Sequence, residues 1–267
     1  MRTLVYTNSV GSTLTISSTS LDYLLTSIEG IDIPSQTIQE QKAPFQQGTT
    51  PIDQLLNSRD IIVNGVIRVN QNLSSIDTKR RSILSALNYT LGTGTITYTN
   101  AAGNVCYFYD VIPEGPVFKN KDFMNPRQEF QITFHCHDPW LYGTTVTLTG
   151  VTTTTTITIT GDYETPVTLT LTNPGTNPII TCNADSLSLV NTFATGDIVT
   201  ISTDFGGKSV VKQTVVGGPT TNIIQYLTSA SVFWNLEIGT NVIVVTSDST
   251  TSVATITLVY AERYLGI

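Results

Sequence analysis

With 267 residues, 40% of them hydrophobic, the chain has material for one large domain or two ordinary ones, and a net charge of −7 is too modest for disorder. Only 12% of residues are charged, the isoelectric point is near 4.7 and the longest basic run is Lys79-Arg80-Arg81, which argues against a sequence-specific nucleic-acid binder. No stretch approaches the roughly 20 apolar residues of a membrane-spanning helix, so no membrane partner is expected.

Hydroxyls stand in for the missing charge. The chain has 47 threonines, and a β-branched side chain favours strands over helix interiors. A mainly β protein is the expectation. The N-terminal segment Met1 to Asn8 turns polar too early for a signal-peptide core, and Cys106, Cys136 and Cys182 are odd in number and far apart. Folding in the cytoplasm of the producing cell, without disulfides, is therefore expected.

Composition breaks near residue 140. Residues 1–140 hold 10 of the 13 basic residues, and residues 141–267 hold 31 of the threonines. Pro139 cannot donate to a strand ladder and biases Asp138 toward extended geometry, which suits the end of a strand and a domain exit. Two domains are expected, 1–140 and 141–267.

The first half reads as α+β. Arg2 to Tyr6 suits an opening strand. Leu21 to Ile33 is apolar, broken by Gly30 and closed by Pro34. Gln36 to Asp53 is polar and reads as a long exposed loop or hairpin arm. Arg59 to Asn70 alternates, with Ile61, Val63, Gly65 and Ile67 on one face. Residues 74–88 give one helix, with Asn72, Ser74 or Ser75 as N-cap, and Ile76, Ile83, Leu84 and Leu87 on one face. The basic run Lys79 to Arg81 falls mainly on the other face and reads first as solvated, with a charged contact to a neighbouring subunit as the second reading. A hairpin follows, Thr95 to Thr99 and Val105 to Val111, turning at Asn100 to Asn104. The last strand, Phe130 to Cys136, places Phe130, Ile132, Phe134 and Cys136 together.

The second half reads as all-β. Val146 and Leu148, then Val167, Leu169 and Leu171, then Val199 and Ile201, then Ile256 and Leu258 alternate with polar residues, mostly threonines. Turn signals recur at Gly161-Asp162, Asn173-Pro174-Gly175, Gly196-Asp197, Gly206-Gly207, Gly217-Gly218-Pro219 and Gly239-Thr240-Asn241. A β-sandwich is expected. The run Thr152 to Thr156 reads as a strand or loop edge.

Chemistry-bearing candidates are few. His135 and His137 alternate on one strand and would share a face, but a metal needs three or four ligands and no other histidine exists. They read as strand-end polar residues. Gly206-Gly207-Lys208-Ser209 imitates a phosphate loop, yet Ser202 stands where its first glycine belongs, so a turn is expected. Trp140, Tyr142, Phe233 and Trp234 have the character to stack on sugars, and read first as core aromatics. No nucleophile motif appears, and spacing singles out no carboxylate pair. The residues thus suggest no enzyme, no catalytic, metal or cofactor site, and a structural or recognition module.

Taken in order, the segments resemble the distal tail proteins of long-tailed, siphovirus-type bacteriophages. The resemblance is carried by Ile61 to Ile67, by Asp77 to Leu84, by the Tyr98 to Tyr109 hairpin, and above all by Phe130-Gln131-Ile132-Thr133-Phe134-His135-Cys136-His137-Asp138-Pro139-Trp140. Family members often show Asp-Pro-Tyr where this chain has Asp138-Pro139-Trp140. In the second half it continues through Gly196 to Thr203, Lys208 to Val210, Phe233 to Asn241 and Val259 to Ile267. The resemblance implies an N-terminal belt domain that joins a ring, usually of six subunits, and a galectin-like C-terminal β-sandwich. It implies a structural hub that joins the tail tube protein to the tail tip or tail-associated fibre protein and lets DNA pass. A carbohydrate-binding adhesion module is the alternative, and a cell-wall hydrolase a third reading; a chain of this length has no room for an inserted sugar-binding domain.

Overall fold

The computed structural model describes residues 1–69, 73–119, 127–151, 153–248 and 255–267, and among them the chain is mainly β with one α-helix. It divides into two compact units, Met1–Gly143 together with Tyr264–Ile267, and Thr144–Arg263.

The first unit opens with β1 (Thr3–Thr7), β2 (Thr13–Ser17) and β3 (Tyr23–Glu29), followed by β4 (Gln36–Gln41), β5 (Thr50–Leu56) and β6 (Arg59–Arg68). Helix α1 (Leu73–Ala86) comes next, then β7 (Gly94–Thr99), β8 (Val105–Lys119), β9 (Arg127–Cys136) and β10 (Leu141–Tyr142). The order β8-β7-β1-β2-β3-β6-β9 returns to β8, so the sheet closes into a barrel. Strand β8 makes the closure possible. Its first part pairs with β7, and from Val111 onward it pairs with β9, from Val111↔Cys136 to Lys119↔Glu129, with a bulge between Glu114 and Val117. The one weak seam lies between β2 and β3, which run parallel and meet only at Ser17↔Leu24.

Alternation sends one face of most barrel strands inward. Leu4, Tyr6, Ile16, Ile61, Val63, Ile96, Phe108, Ile132 and Phe134 are buried, α1 adds Ile83 and Ala86, and Leu87 follows just after the helix. Gly65 stands in the inward phase of β6, where a Cβ would collide with the Phe130 ring and the Leu24 carbonyl. Gly30 has φ +84°, and a Cβ there would strike the Asp60 carbonyl, so glycine lets the chain leave β3 against β6.

Four first-half expectations change. Strand β2 lies in a stretch for which no element is expected, although Leu14 and Ile16 alternate with Thr13 and Thr15. Strand β8 runs on to Lys119 rather than ending at Val111. Ser74 and Ser75 lie inside α1 rather than at its cap, and Asn72 lies outside the described residues. Leu84 is exposed while Ile83 and Leu87 are buried, because successive helical residues turn by about 100° and Ile83 takes the inward direction.

The second unit is a sandwich. Its strands are β11 (Val146–Val151), β12 (Thr154–Ile159), β13 (Val167–Thr172), β14 (Ile179–Cys182), β15 (Asp185–Ser188), β16 (Ile198–Ser202), β17 (Ser209–Gln213), β18 (Thr221–Asn222), β19 (Gly239–Thr246) and β20 (Thr255–Tyr260). One sheet has the order β11-β20-β13-β16-β17-β18, the other β12-β19-β14-β15. Leu169, Leu171, Val199, Ile201, Ile256 and Leu258 of the first sheet and Ile157, Ile159, Ile180, Leu187 and Ile243 of the second build one core. Thr152 lies outside the described residues; Thr154 to Thr156 belong to β12, an edge strand.

The chain then re-enters the first unit. Strand β21 (Arg263–Tyr264) stands beside β10 in the nine-stranded sheet, and Tyr264–Ile267 group with the first unit. Among the described residues no helix is long and apolar enough to cross a membrane.

Candidate functional site

The two histidines do share a face. The His135 Nδ1 lies 2.6 Å from Asp60 Oδ1 across the β6–β9 pair, and the two imidazole rings meet edge-on at 4.8 Å. The His137 Nδ1 lies 3.3 Å from the Asp110 carbonyl. Among the described residues no three His, Cys, Asp or Glu side chains converge as a metal site. Gly206-Gly207 forms the turn between β16 and β17, with Gly206 at φ +78° and the Gly207 N–H donating to the Asp204 carbonyl at 3.0 Å.

The four aromatic candidates separate. Trp234 is buried in the sandwich core, and Phe233 packs against that core with the Lys208 ammonium 5.8 Å from its ring centroid. Trp140 and Tyr142 are half-buried. Asp138 organises both: its carboxylate accepts the Trp140 N–H at 3.1 Å and the Tyr142 hydroxyl at 2.6 Å. The Asp-Pro-aromatic string is thus a self-bonded turn that ends β9. The Gly239-Thr240-Asn241 stretch is likewise internal. The Asn241 side chain is fully buried, donates to the Glu237 carbonyl at 2.7 Å and accepts the Glu237 N–H at 2.9 Å.

The basic run is mostly used within the unit. Lys79 pairs with Asp22 and donates to the Arg68 carbonyl at 3.1 Å, while the Tyr23 hydroxyl donates to the Lys79 carbonyl at 3.2 Å. Arg80 lies 4.7 Å from the Phe118 ring centroid and 3.5 Å from Asp77. This corrects the expectation of a simply solvated face: Asp22 just before β3 and the end of β6 take Lys79, and Phe118 of β8 takes Arg80. Arg81 alone stays exposed, and it lines a groove of about 600 Å³ between α1 and the start of β2, together with Ser12, Thr13, Ser82 and Leu84.

The expected arm is a hairpin. Strands β4 and β5 pair with each other from Gln36↔Leu56 to Gln41↔Thr50, join no other sheet among the described residues, and are exposed along nearly their whole length. Ile38 is 54% exposed, Ile52 63% and Leu55 53%. At the tip Phe45 is fully exposed with φ +66°, a left-handed conformation that is costly for a bulky residue.

A residue not singled out by the sequence anchors the arm's base. Arg59 is buried in phase with Ile61 and Val63, and burial pushes its guanidinium pKa below the usual arginine value. It donates to the carbonyls of Asp32 at 3.2 Å, Leu265 at 3.0 Å and Pro139, and lies 5.4 Å from the Phe108 ring centroid. The signal was available: an arginine opening an apolar strand in the inward phase needs buried acceptors.

Two family models match the chain. The "Phage tail protein RIFT-related domain" covers residues 10–136, and the "Siphovirus-type tail component, C-terminal domain" of the SPP1 Dit type covers residues 160–264. No curated protein matches in sequence. Among solved structures, Dit of phage SPP1 superposes with a TM-score of 0.74 at 16% identity, over 99% of both chains. A chain of the phage P2 baseplate in its activated conformation superposes with a TM-score of 0.52 at 10% identity, over 100% of both. The two matched domains, in this order on one chain, place the protein in the siphovirus-type phage tail component family, among the distal tail proteins.

Proposed function

We propose that this chain is the structural hub of a phage tail tip: a ring, of six subunits, that joins the tail tube to the tip or fibre proteins and leaves a lumen for DNA. It works in the virion after synthesis in the bacterial host cytoplasm, and it performs no catalysis. The observation that carries the reading is the arm. A two-stranded hairpin isolated in water is marginally stable, and this one exposes Ile38, Phe45, Ile52 and Leu55. Such an element gains its stability by closing on a neighbouring subunit. The family membership supports the tail location, and an acidic chain of net charge −7 favours DNA passing rather than adhering.

Negative-stain images and native mass spectrometry of the purified protein, alone and with tail partners, are expected to show closed rings. A strictly monomeric species at high concentration and with partners present sinks the proposal. The carbohydrate-binding alternative gains least from the second unit, since Trp234 is buried and Phe233 is packed beneath Lys208. Binding of residues 144–263 on a glycan array would favour it.

A further inference from the structure

We propose that the groove between β2 and α1 receives the hairpin arm of a second copy of this chain, with β4 of one copy adding as a strand to the free edge of β2 in the other. The inference rests on the arm-to-neighbour reading above and deepens it by naming the receiving surface.

The receiving edge follows from the ladder. The Asn8 N–H donates to Ser12 at 3.0 Å and the Ser18 N–H to Arg2 at 2.9 Å, at the two ends of the β1–β2 pair. Antiparallel bonding alternates, so Leu14 and Ile16 bond toward β1, and Thr13 and Thr15 turn their N–H and C=O groups away. On that side β3 meets β2 only at Ser17↔Leu24. Thr13 and Thr15 therefore present an open strand edge, and both are exposed. The edge is short, uncharged and without proline, which leaves it receptive to another strand.

The same argument selects the donor strand. The Asn57 N–H donates to Ser35 at 2.9 Å, so Thr37 and Gln39 bond inward to β5, and Ile38 and Glu40 face outward from β4. Strand β5 is the poorer donor, because Pro51 has no N–H to give. Two free residues on β4 thus meet two on β2.

Side-chain chemistry agrees. Among its lining residues the groove carries one charge, Arg81, which has no ion pair among the described residues, and one large exposed apolar side chain, Leu84 at 52%. The incoming strand carries Glu40 beside Ile38. The rest of the arm adds Lys42 and Asp53, so its net charge is negative, opposite to the groove. A second copy is the occupant that supplies the strand, the carboxylate and the apolar side chain together.

The test uses the full chain with Cys106→Ser, which leaves only the buried Cys136 and Cys182. Thr13→Cys combined with Ile38→Cys is expected to give, on mild oxidation, a ladder of covalent multimers that neither single variant gives. Arg81→Glu and Glu40→Arg should each weaken assembly by about tenfold, and the double swap should restore it to within about twofold. Hydrogen exchange on the unmodified protein gives an independent readout: the amides of Thr13, Thr15, Ile38 and Glu40 should slow in the assembled form relative to the diluted one. Rings that persist without the ladder, without a charge-swap effect and without that protection overturn the docking site and leave the hub reading standing. A folded protein that stays monomeric under all conditions overturns both.

Discussion

Arg59 concentrates the stability of the first unit at one side chain. A buried guanidinium is costly unless its donors find acceptors, and here its two terminal nitrogens find three carbonyls drawn from three distant stretches, Asp32, Pro139 and Leu265. Replacing Arg59 with Ala strands those carbonyls and should cost about 3 kcal/mol, read from urea denaturation. Arg59→Lys keeps the charge but loses the planar fork, and should fall between the two. Cys136 makes the opposite kind of prediction. Burial pushes its thiol pKa from 9.0 up to about 12, partly offset by Arg59. Below pH 9 both folded and unfolded chains keep the proton. Between pH 9 and 12 the unfolded chain releases a proton that the folded one retains, so stability falls as pH rises. Cys136→Ala should flatten part of that decline in urea midpoints measured across the same range. A protonated thiol is also a poor nucleophile, so Cys136 should resist thiol reagents until the protein unfolds.

At the scale of elements, the arm is nearly independent of the barrel. Replacing residues 37–55 by a short glycine-containing turn should leave the thermal midpoint of the first unit nearly unchanged, since β4 and β5 contribute nothing to the buried core. The same deletion should abolish rings in negative stain. The arm was legible because a polar stretch with a Gly-Thr-Thr-Pro signal cannot enter a core. Strand β6, and β9 from Phe130 onward, were legible because their apolar residues alternate without a break, whereas Arg127 to Glu129, which open β9, carry no apolar signal. Strand β2 was not, because five residues with two apolar side chains differ little from a loop. The continuation of β8 was hidden for another reason: Pro113, Gly115 and Pro116 read as breakers, and only closure of the barrel onto β9 holds them extended. Leu84 carried the same hydrophobic signal as Ile83 and Leu87, and periodicity alone does not say where an apolar stripe ends. The groove was illegible for that reason, since its walls come from α1 and from the strand the sequence concealed.

At the scale of the whole molecule, the second unit is an insertion between β10 and β21, the strands on which the chain leaves and regains the first. Deleting Tyr264–Ile267 should therefore destabilise the first unit, by about 1–3 kcal/mol for the lost Leu265 acceptor, and leave the second unit unchanged. The two tryptophans report separately, Trp140 from the first unit and Trp234 from the second, so fluorescence of Trp234→Phe and Trp140→Phe backgrounds reads each transition alone. The threonine excess belongs to this scale too. It is concentrated in the sandwich, where Thr168, Thr170 and Thr172 alternate with Val167, Leu169 and Leu171 and supply polar surface without ions.

The third acceptor of Arg59 sets an order of events during synthesis. Asp32 and Pro139 leave the ribosome early, while Leu265 follows only after all of residues 144–263 have been made. A nascent chain can close its barrel, but it holds a buried cation short of one ligand until the inserted sandwich is complete. Translation thus carries its own checkpoint: the unit that bears the arm reaches full stability only in chains that already possess the other.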